Sequence, residues 1–297
     1  MKRIIKKIVN ELPYVKMLQS QLDKLHVPPG HYYSPTISKE ELLKREEQIW
    51  KEHPRKVLGV DLNEDKQLGL IKEFVEFYDQ LPFDVQKKDG LRYYFDNNMY
   101  SYSDGIFLYC MIRKSTPKRI IEVGSGFSSA VMLDTNNLFF QNKIQCTFIE
   151  PYPDLLNSLL FEDEKIDLIE KPVQEVNTSL FDELETGDIL FIDSTHVSKT
   201  GSDVNFLMFE VLPKLNKGVK VHFHDIFYPF EYPKNWVIEG KRSWNEDYIL
   251  RAFLSFNTKF QIIAFNTFLE EFYEKWFDDN MPLCLKNKGG SIWLEVL

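Results

Sequence analysis

Arg119-Ile-Ile-Glu-Val-Gly-Ser-Gly126 is the stretch that decides the fold. A short run rich in β-branched residues leads into two glycines one residue apart, and Phe127 to Met132 then has helical composition. β-Branched runs suit a pleated, buried strand, and glycine permits a sharp turn from strand to helix. The alternation continues downstream. Strands are predicted over Gln145–Ile149, Ile166–Ile169, Asp188–Ile192, Val219–Phe223, Phe260–Phe265 and Ser291–Val296. Helices are predicted over Ser103–Arg113, Asp154–Leu160, Asp203–Leu215 and Asn245–Phe256, the last with Ser243-x-x-Glu246 as its capping box. Apolar strands alternating with helices mean a parallel sheet covered on both faces. The expected fold is therefore a doubly wound, Rossmann-like α/β domain of seven strands. Its final two strands form an antiparallel pair at one edge.

Composition bounds what this domain does. The 297 residues carry a net charge of −9, which argues against a general nucleic-acid binder needing clustered positive charge. Hydrophobic residues are 43% and charged residues 27%, so disorder fails as a global description. No apolar run approaches the roughly 20 residues that cross a bilayer. Cys110, Cys146 and Cys284 are too few and too scattered for a disulfide framework or a zinc site, so a reducing, cytoplasmic compartment is expected.

Up to residue 98 the chain reads differently, as helices and loops, and it is expected to form a helical N-terminal extension to a domain over residues 99–297. Ile4, Ile5, Ile8, Val9 and Leu12 share one helical face, with Lys2, Arg3, Lys6 and Lys7 largely opposite. No cleavage site follows, so this is not read as a signal peptide. Such a helix docks on the body or on a second copy of the chain, or attaches peripherally to an anionic membrane surface. Ser38-Lys39-Glu40-Glu41 opens a helix toward Trp50, and Leu68, Ile71, Phe74, Val75 and Tyr78 make another that ends before Pro82. The Phe74 face needs an apolar partner, supplied by the α/β domain or by a second subunit.

Ligands of such sheets bind at the carboxyl ends of the strands, where strand order switches. The residues there are polar: Glu122 with Gly124-Ser125-Gly126, Glu150-Pro151, Gln174-Glu175, Asp193-Ser-Thr-His196 and His224-Asp225. A nicotinamide fingerprint would have a third glycine at the position of Ser129. Glu122 also puts negative charge where two phosphates would sit, which suits a ligand carrying an ammonium or sulfonium. Glu150 stands near the ~20-residue offset at which an acid accepts both ribose hydroxyls.

Glu122-Val-Gly-Ser-Gly126 after one strand and Glu150 after the next resemble the class I S-adenosylmethionine-dependent methyltransferases. The likeness covers about residues 100 to 297. Phe191-Ile-Asp-Ser-Thr-His196 is most similar to bacterial small-molecule and glycan-associated O-methyltransferases with a fourth strand of this kind. The resemblance implies that Glu122, Gly124, Ser125 and Gly126 hold the methionine part, that Glu150 holds the ribose, that Val173-Gln174 lies near adenine, and that Pro151 belongs to the same cofactor site. Ser128 stands where many members have a third glycine, and the neighbouring Ser129 is similarly small. Asp193 is counted in the cofactor site as well.

The reaction end is expected among Asp193, His196, His224 and Asp225. His196 leads as general base, since an ordinary imidazole accepts a proton near neutral pH. Some members bind a divalent cation through an Asp after strand four and an Asp-Asn pair after strand five. Asp193 and Asp225 match two of those positions for Mg²⁺ or Mn²⁺, and Ile226 replaces the Asn. The implied activity is O-methylation of a small hydroxylated acceptor such as a sugar or glycan. The rivals are a cofactor-fold binding protein without turnover and a metal-dependent hydrolase.

Overall fold

A computed structural model of the chain describes residues 11–297. The expected helix through Ile4, Ile5, Ile8 and Val9 lies outside the described residues. The chain divides into two compact units: residues up to Glu52 with Pro233–Ser243, and His53–Tyr232 with Trp244–Leu297.

The smaller unit carries α1 (Pro13–Leu22), α2 (Lys39–Leu43) and α3 (Glu46–Ile49), with a further short helix at Lys234–Ile238. The single helix expected from Ser38 toward Trp50 is thus two. Ser38 caps the first, its hydroxyl accepting from the Glu41 N–H at 3.4 Å. Lys234 pairs with Glu46 at 2.6 Å, and the Arg242 guanidinium lies 3.8 Å from the Trp236 ring centre.

In the larger unit the elements run α4 (Glu64–Tyr78), α5 (Tyr102–Ser115), β1 (Arg119–Val123), α6 (Phe127–Phe140), β2 (Gln145–Ile149), α7 (Asp154–Leu159), β3 (Asp167–Ile169), α8 (Ser179–Asp182), β4 (Ile189–Ile192), α9 (Asp203–Phe206), β5 (Lys220–His224). Numbering the Lys234–Ile238 helix α10, the chain ends with α11 (Glu246–Leu254), β6 (Phe260–Phe265), α12 (Asn266–Phe272), α13 (Glu274–Asn280) and β7 (Ser291–Val296). The sheet order is β3-β2-β1-β4-β5-β7-β6. β1 to β5 pair in parallel, and β7 is antiparallel to both its neighbours, β5 and β6. The doubly wound seven-stranded fold is as expected, with β6 at the edge and β7 inserted beside β5. The strands read as continuous apolar runs because both faces are covered: Ile189 to Ile192 are all buried.

Strand order switches between β1 and β4, which splays the following loops apart and opens a crevice at their carboxyl ends. α4, on the N-terminal side of residue 98, is part of this unit. Its Ile71 and Phe74 are fully buried, Phe74 meets Phe107 edge-on at 5.6 Å, and the Gln67 side-chain oxygen accepts the Phe265 N–H at 2.7 Å. The apolar partner that α4 required is therefore the α/β body.

Two helices differ from their expected form. After α9 the chain continues as a π turn over Leu207–Val211 and a 3₁₀ turn over Leu212–Lys214. Pro213 has no N–H to donate, so a regular ladder ends there. α11 begins at Glu246, without a Ser243 side-chain cap. Its first donors are satisfied from another loop instead: the Asn245 and Glu246 N–H groups donate to the His196 carbonyl at 3.1 and 3.2 Å.

Candidate functional site

The β1 turn is held from three sides. Gly124 adopts φ +84, and a Cβ built on it would lie 2.7 Å from the Asp193 carbonyl carbon and overlap the carbonyl oxygen. Only glycine has both the conformational freedom and the absence of bulk needed here. The Gly124 N–H donates to Ile149 O at 3.0 Å, and the Asp193 N–H donates to Val123 O at 2.8 Å, tying the ends of β1, β2 and β4 together.

Glu122 is fully buried beneath this turn. One carboxylate oxygen accepts from the Ser128 hydroxyl at 2.5 Å and the other from the Ser129 hydroxyl. Burial outweighs these bonds and pushes the acid up to about 8. Ser128 and Ser129 therefore anchor the acid that stands at the base of the turn. The Ser125 hydroxyl is buried with no partner among the described residues.

Glu150 ends β2 and accepts twice from backbone, from the Ser125 N–H at 3.1 Å and the Tyr152 N–H at 2.8 Å. One bond falls on each oxygen, so each keeps acceptor capacity. A cleft of about 410 Å³ opens at these strand ends, lined by Gly124, Glu150, Pro151, Val173, Gln174 and Asp193 among others. Gln174 is steadied by a bond from its side-chain nitrogen to Gly201 O at 3.0 Å. Glu122, Ser125, Gly126 and Ser128 support this cleft and do not line it. A cradle that a Cβ would fill, a carboxylate with spare lone pairs and a buried acid suit a cationic, ribose-bearing ligand such as S-adenosylmethionine.

The second cluster centres on His196, which is buried and at φ +58. Its Nδ1 lies 2.9 Å from Glu246 Oε2, and its Nε2 lies 3.4 Å from Asp193 Oδ1 and 3.5 Å from Asp225 Oδ2. The Trp244 ring covers the imidazole at 4.4 Å. Burial works against the charged imidazole, but the bonds to Asp193 and Glu246 prevail and raise it to about 10. The ordinary imidazole expected from the sequence is thus a charged one in this state. Asp193 is half-buried, and although desolvation opposes its charge, the His224 and His196 rings hold it below the usual carboxylate range. Burial raises Asp225, against the pull of the same two histidines.

His224 lies behind this cluster, its Nε2 3.5 Å from Asp225 Oδ1 and its ring 5.1 Å from Tyr100. His222, on the same strand face, stacks on Phe191 at 4.0 Å and is pushed well below its ordinary value by burial. It is a core residue. One ligand atom from each of Asp193, His196 and Asp225 lies within 4.8 Å of the others, so oxygen-rich donors suited to Mg²⁺ or Mn²⁺ converge. Ile226 is fully buried and offers no ligand.

The sequence points to neither Glu246 nor Trp244 as a site residue: both lie at the start of α11, not at a strand end, and Glu246 reads in the sequence as the acid of a capping box.

A family model described as a methyltransferase domain matches residues 121–226, the span from β1 to just past β5. An uncharacterised protein of Archaeoglobus fulgidus is 36% identical over 162 residues, covering 53% of this chain and 73% of that protein. Among solved structures, an S-adenosylhomocysteine-bound methyltransferase of Podospora anserina has 15% identity and a TM-score of 0.41, over 76% of this chain and 91% of that one. An O-methyltransferase of Streptomyces achromogenes, involved in tomaymycin synthesis and solved with S-adenosylmethionine, has 14% identity and a TM-score of 0.39, over 80% and 91%. At these scores the two structures add nothing to the fold already described.

Proposed function

We propose that the chain is a class I S-adenosylmethionine-dependent methyltransferase, a reading supported by the methyltransferase-domain match over residues 121–226, and that it methylates an oxygen of a small hydroxylated acceptor, a sugar or glycan foremost. The observation that carries the cofactor half is the β1–β2 cleft, where Gly124 presses on the Asp193 backbone and Glu150 presents a carboxylate with a free lone pair on each oxygen. S-adenosylmethionine bound there supplies an electrophilic methyl group on sulfonium. Gly124, Ser125 and Gly126 let backbone approach the methionine part, and the buried Glu122, held by Ser128 and Ser129, ionises as the cationic ligand binds. Glu150 takes the ribose hydroxyls, with Val173 and Gln174 beside adenine.

A sugar hydroxyl titrates far above neutrality, so its proton must be accepted as the methyl transfers. Asp193, His196, His224 and Asp225 are the groups at hand, and His196 is the proposed base. That role requires the neutral imidazole, and because the carboxylates raise His196 to about 10, turnover is expected to climb as pH rises above neutrality. A divalent cation on Asp193, His196 and Asp225 is a second reading, favoured by their convergence, and it would hold and acidify the acceptor hydroxyl. Positioning of acceptor against cofactor contributes the remainder.

Residues 1–98 are read as a cap or association segment and not as a second catalytic domain. No helix among the described residues is long and apolar enough to cross a membrane. In α1, Tyr14, Met17, Leu18 and Leu22 are exposed, which supports contact with a second copy of the chain. A cytoplasmic location is the accompanying proposal.

The test is methyl transfer from labelled S-adenosylmethionine to a panel of sugars, phenols, amines and thiols, with and without chelator. Label on hydroxyl oxygen supports the reading. Label on nitrogen or sulfur alone overturns it, and activity undiminished by chelation removes the cation.

A further inference from the structure

We propose that Glu246 is a positioning residue for His196, setting its ring orientation so that Nε2 faces Asp193 and Asp225. The proposal deepens the reading above and rests on it for the use made of His196. Four observations carry it. His196 sits at φ +58, a left-handed conformation that a histidine keeps only when its surroundings impose it. Its carbonyl accepts from both the Asn245 and Glu246 N–H groups, at 3.1 and 3.2 Å, so the start of α11 grips the backbone of this residue directly.

The loop beyond is stitched to the same point. The Asn245 side chain accepts the Ser198 N–H at 2.6 Å and donates to the Ser198 carbonyl at 3.1 Å. Finally, the buried Glu246 carboxylate meets Nδ1 at 2.9 Å. One helix turn therefore holds the backbone of His196, the loop after it and one edge of its ring. An ionised carboxylate only accepts. The bond to Glu246 places a proton on Nδ1 and directs Nε2 to the other side, where the aspartates stand at 3.4 and 3.5 Å. Trp244 blocks one face of the ring, so rotation about the side chain is restrained as well.

Glu246 does not line the cofactor cleft. Its role is accordingly readable apart from cofactor binding and apart from turnover. The test is proton NMR of the buried imidazole Nδ1–H in the full chain, assigned by its absence in His196→Gln. Wild type is expected to show a slowly exchanging, hydrogen-bonded proton. Glu246→Gln keeps an acceptor oxygen at the same reach and retains the signal. Glu246→Asp withdraws the carboxylate by one methylene, Glu246→Ala removes it, and both lose the signal. Binding of S-adenosylhomocysteine by calorimetry confirms that each variant is folded, and Glu246→Asp stands in if Glu246→Ala is not. Persistence of the signal in a folded Glu246→Asp or Glu246→Ala protein overturns the proposal. Undiminished methyl transfer by His196→Ala would instead overturn the base role of His196 and leave the spectral result standing.

Discussion

Gly124→Ala would drive a methyl group into the backbone at the end of β4. Two effects add. At φ +84 any residue with a Cβ is strained, by roughly 1–2 kcal/mol. The new Cβ would also stand 2.7 Å from the Asp193 carbonyl carbon, and the opposing atoms are backbone that no side-chain rotation relieves. Moving them stretches the Asp193-to-Val123 bond of 2.8 Å or the Gly124-to-Ile149 bond of 3.0 Å. Each such bond contributes about 1 kcal/mol. The sum is about 3 kcal/mol. Gly90 is the control: its φ is +80 with nothing within 4 Å of a built Cβ, so Gly90→Ala carries only the first effect. Urea unfolding of both variants, with calorimetry of S-adenosylhomocysteine, reads the difference. Gly124→Ala is expected to lose about 1–2 kcal/mol more than Gly90→Ala and to bind the ligand more weakly. Equal losses with equal affinity would refute the close approach of β1 and β4.

Further outcomes follow from the same geometry. Glu150→Ala should weaken S-adenosylhomocysteine binding about tenfold or more, since charge-assisted bonds are worth roughly 1.5–3 kcal/mol each; unchanged affinity in a folded variant would remove the ribose assignment. Glu122, at about 8 when free, is mostly protonated at neutral pH, and an ammonium-bearing ligand favours its ionised form. Calorimetry in two buffers of different ionisation enthalpy should therefore show about one proton released on binding near pH 7, and no release would contradict it. Because the folded value lies above the ordinary 4.5, the associated stability is complete below that pH and is lost as pH rises through about 8. Glu122→Gln should flatten that slope in thermal unfolding from pH 5 to 9. His196→Ala should lose roughly 10²–10⁴ in turnover with cofactor affinity nearly unchanged; near-normal turnover would shift the proton to His224 or a cation.

The cofactor cleft was legible because its determinants are local. Two glycines and an acid at one strand end, and a second acid at the next, announce themselves within a few residues each. The reaction cluster was legible only in part. Asp193, His196, His224 and Asp225 lie at strand ends, where topology says to look. Glu246 lies at a helix start some fifty positions from His196 and reaches it only through tertiary packing. Periodicity could not show that contact, nor the carboxylates that raise the imidazole. The insertion of β7 beside β5 was hidden for a like reason, since strand pairing is a long-range choice. α4 presented an apolar face whose partner only the packed body identifies.

The most direct measurement is calorimetric titration of the full chain with S-adenosylmethionine and, separately, with NAD. Binding of S-adenosylmethionine at one site, weakened by Glu150→Ala, with no heat from NAD, is the expected result. Binding of NAD without binding of S-adenosylmethionine would contradict the assignment of the β1–β2 cleft and the methyl-transfer chemistry built on it.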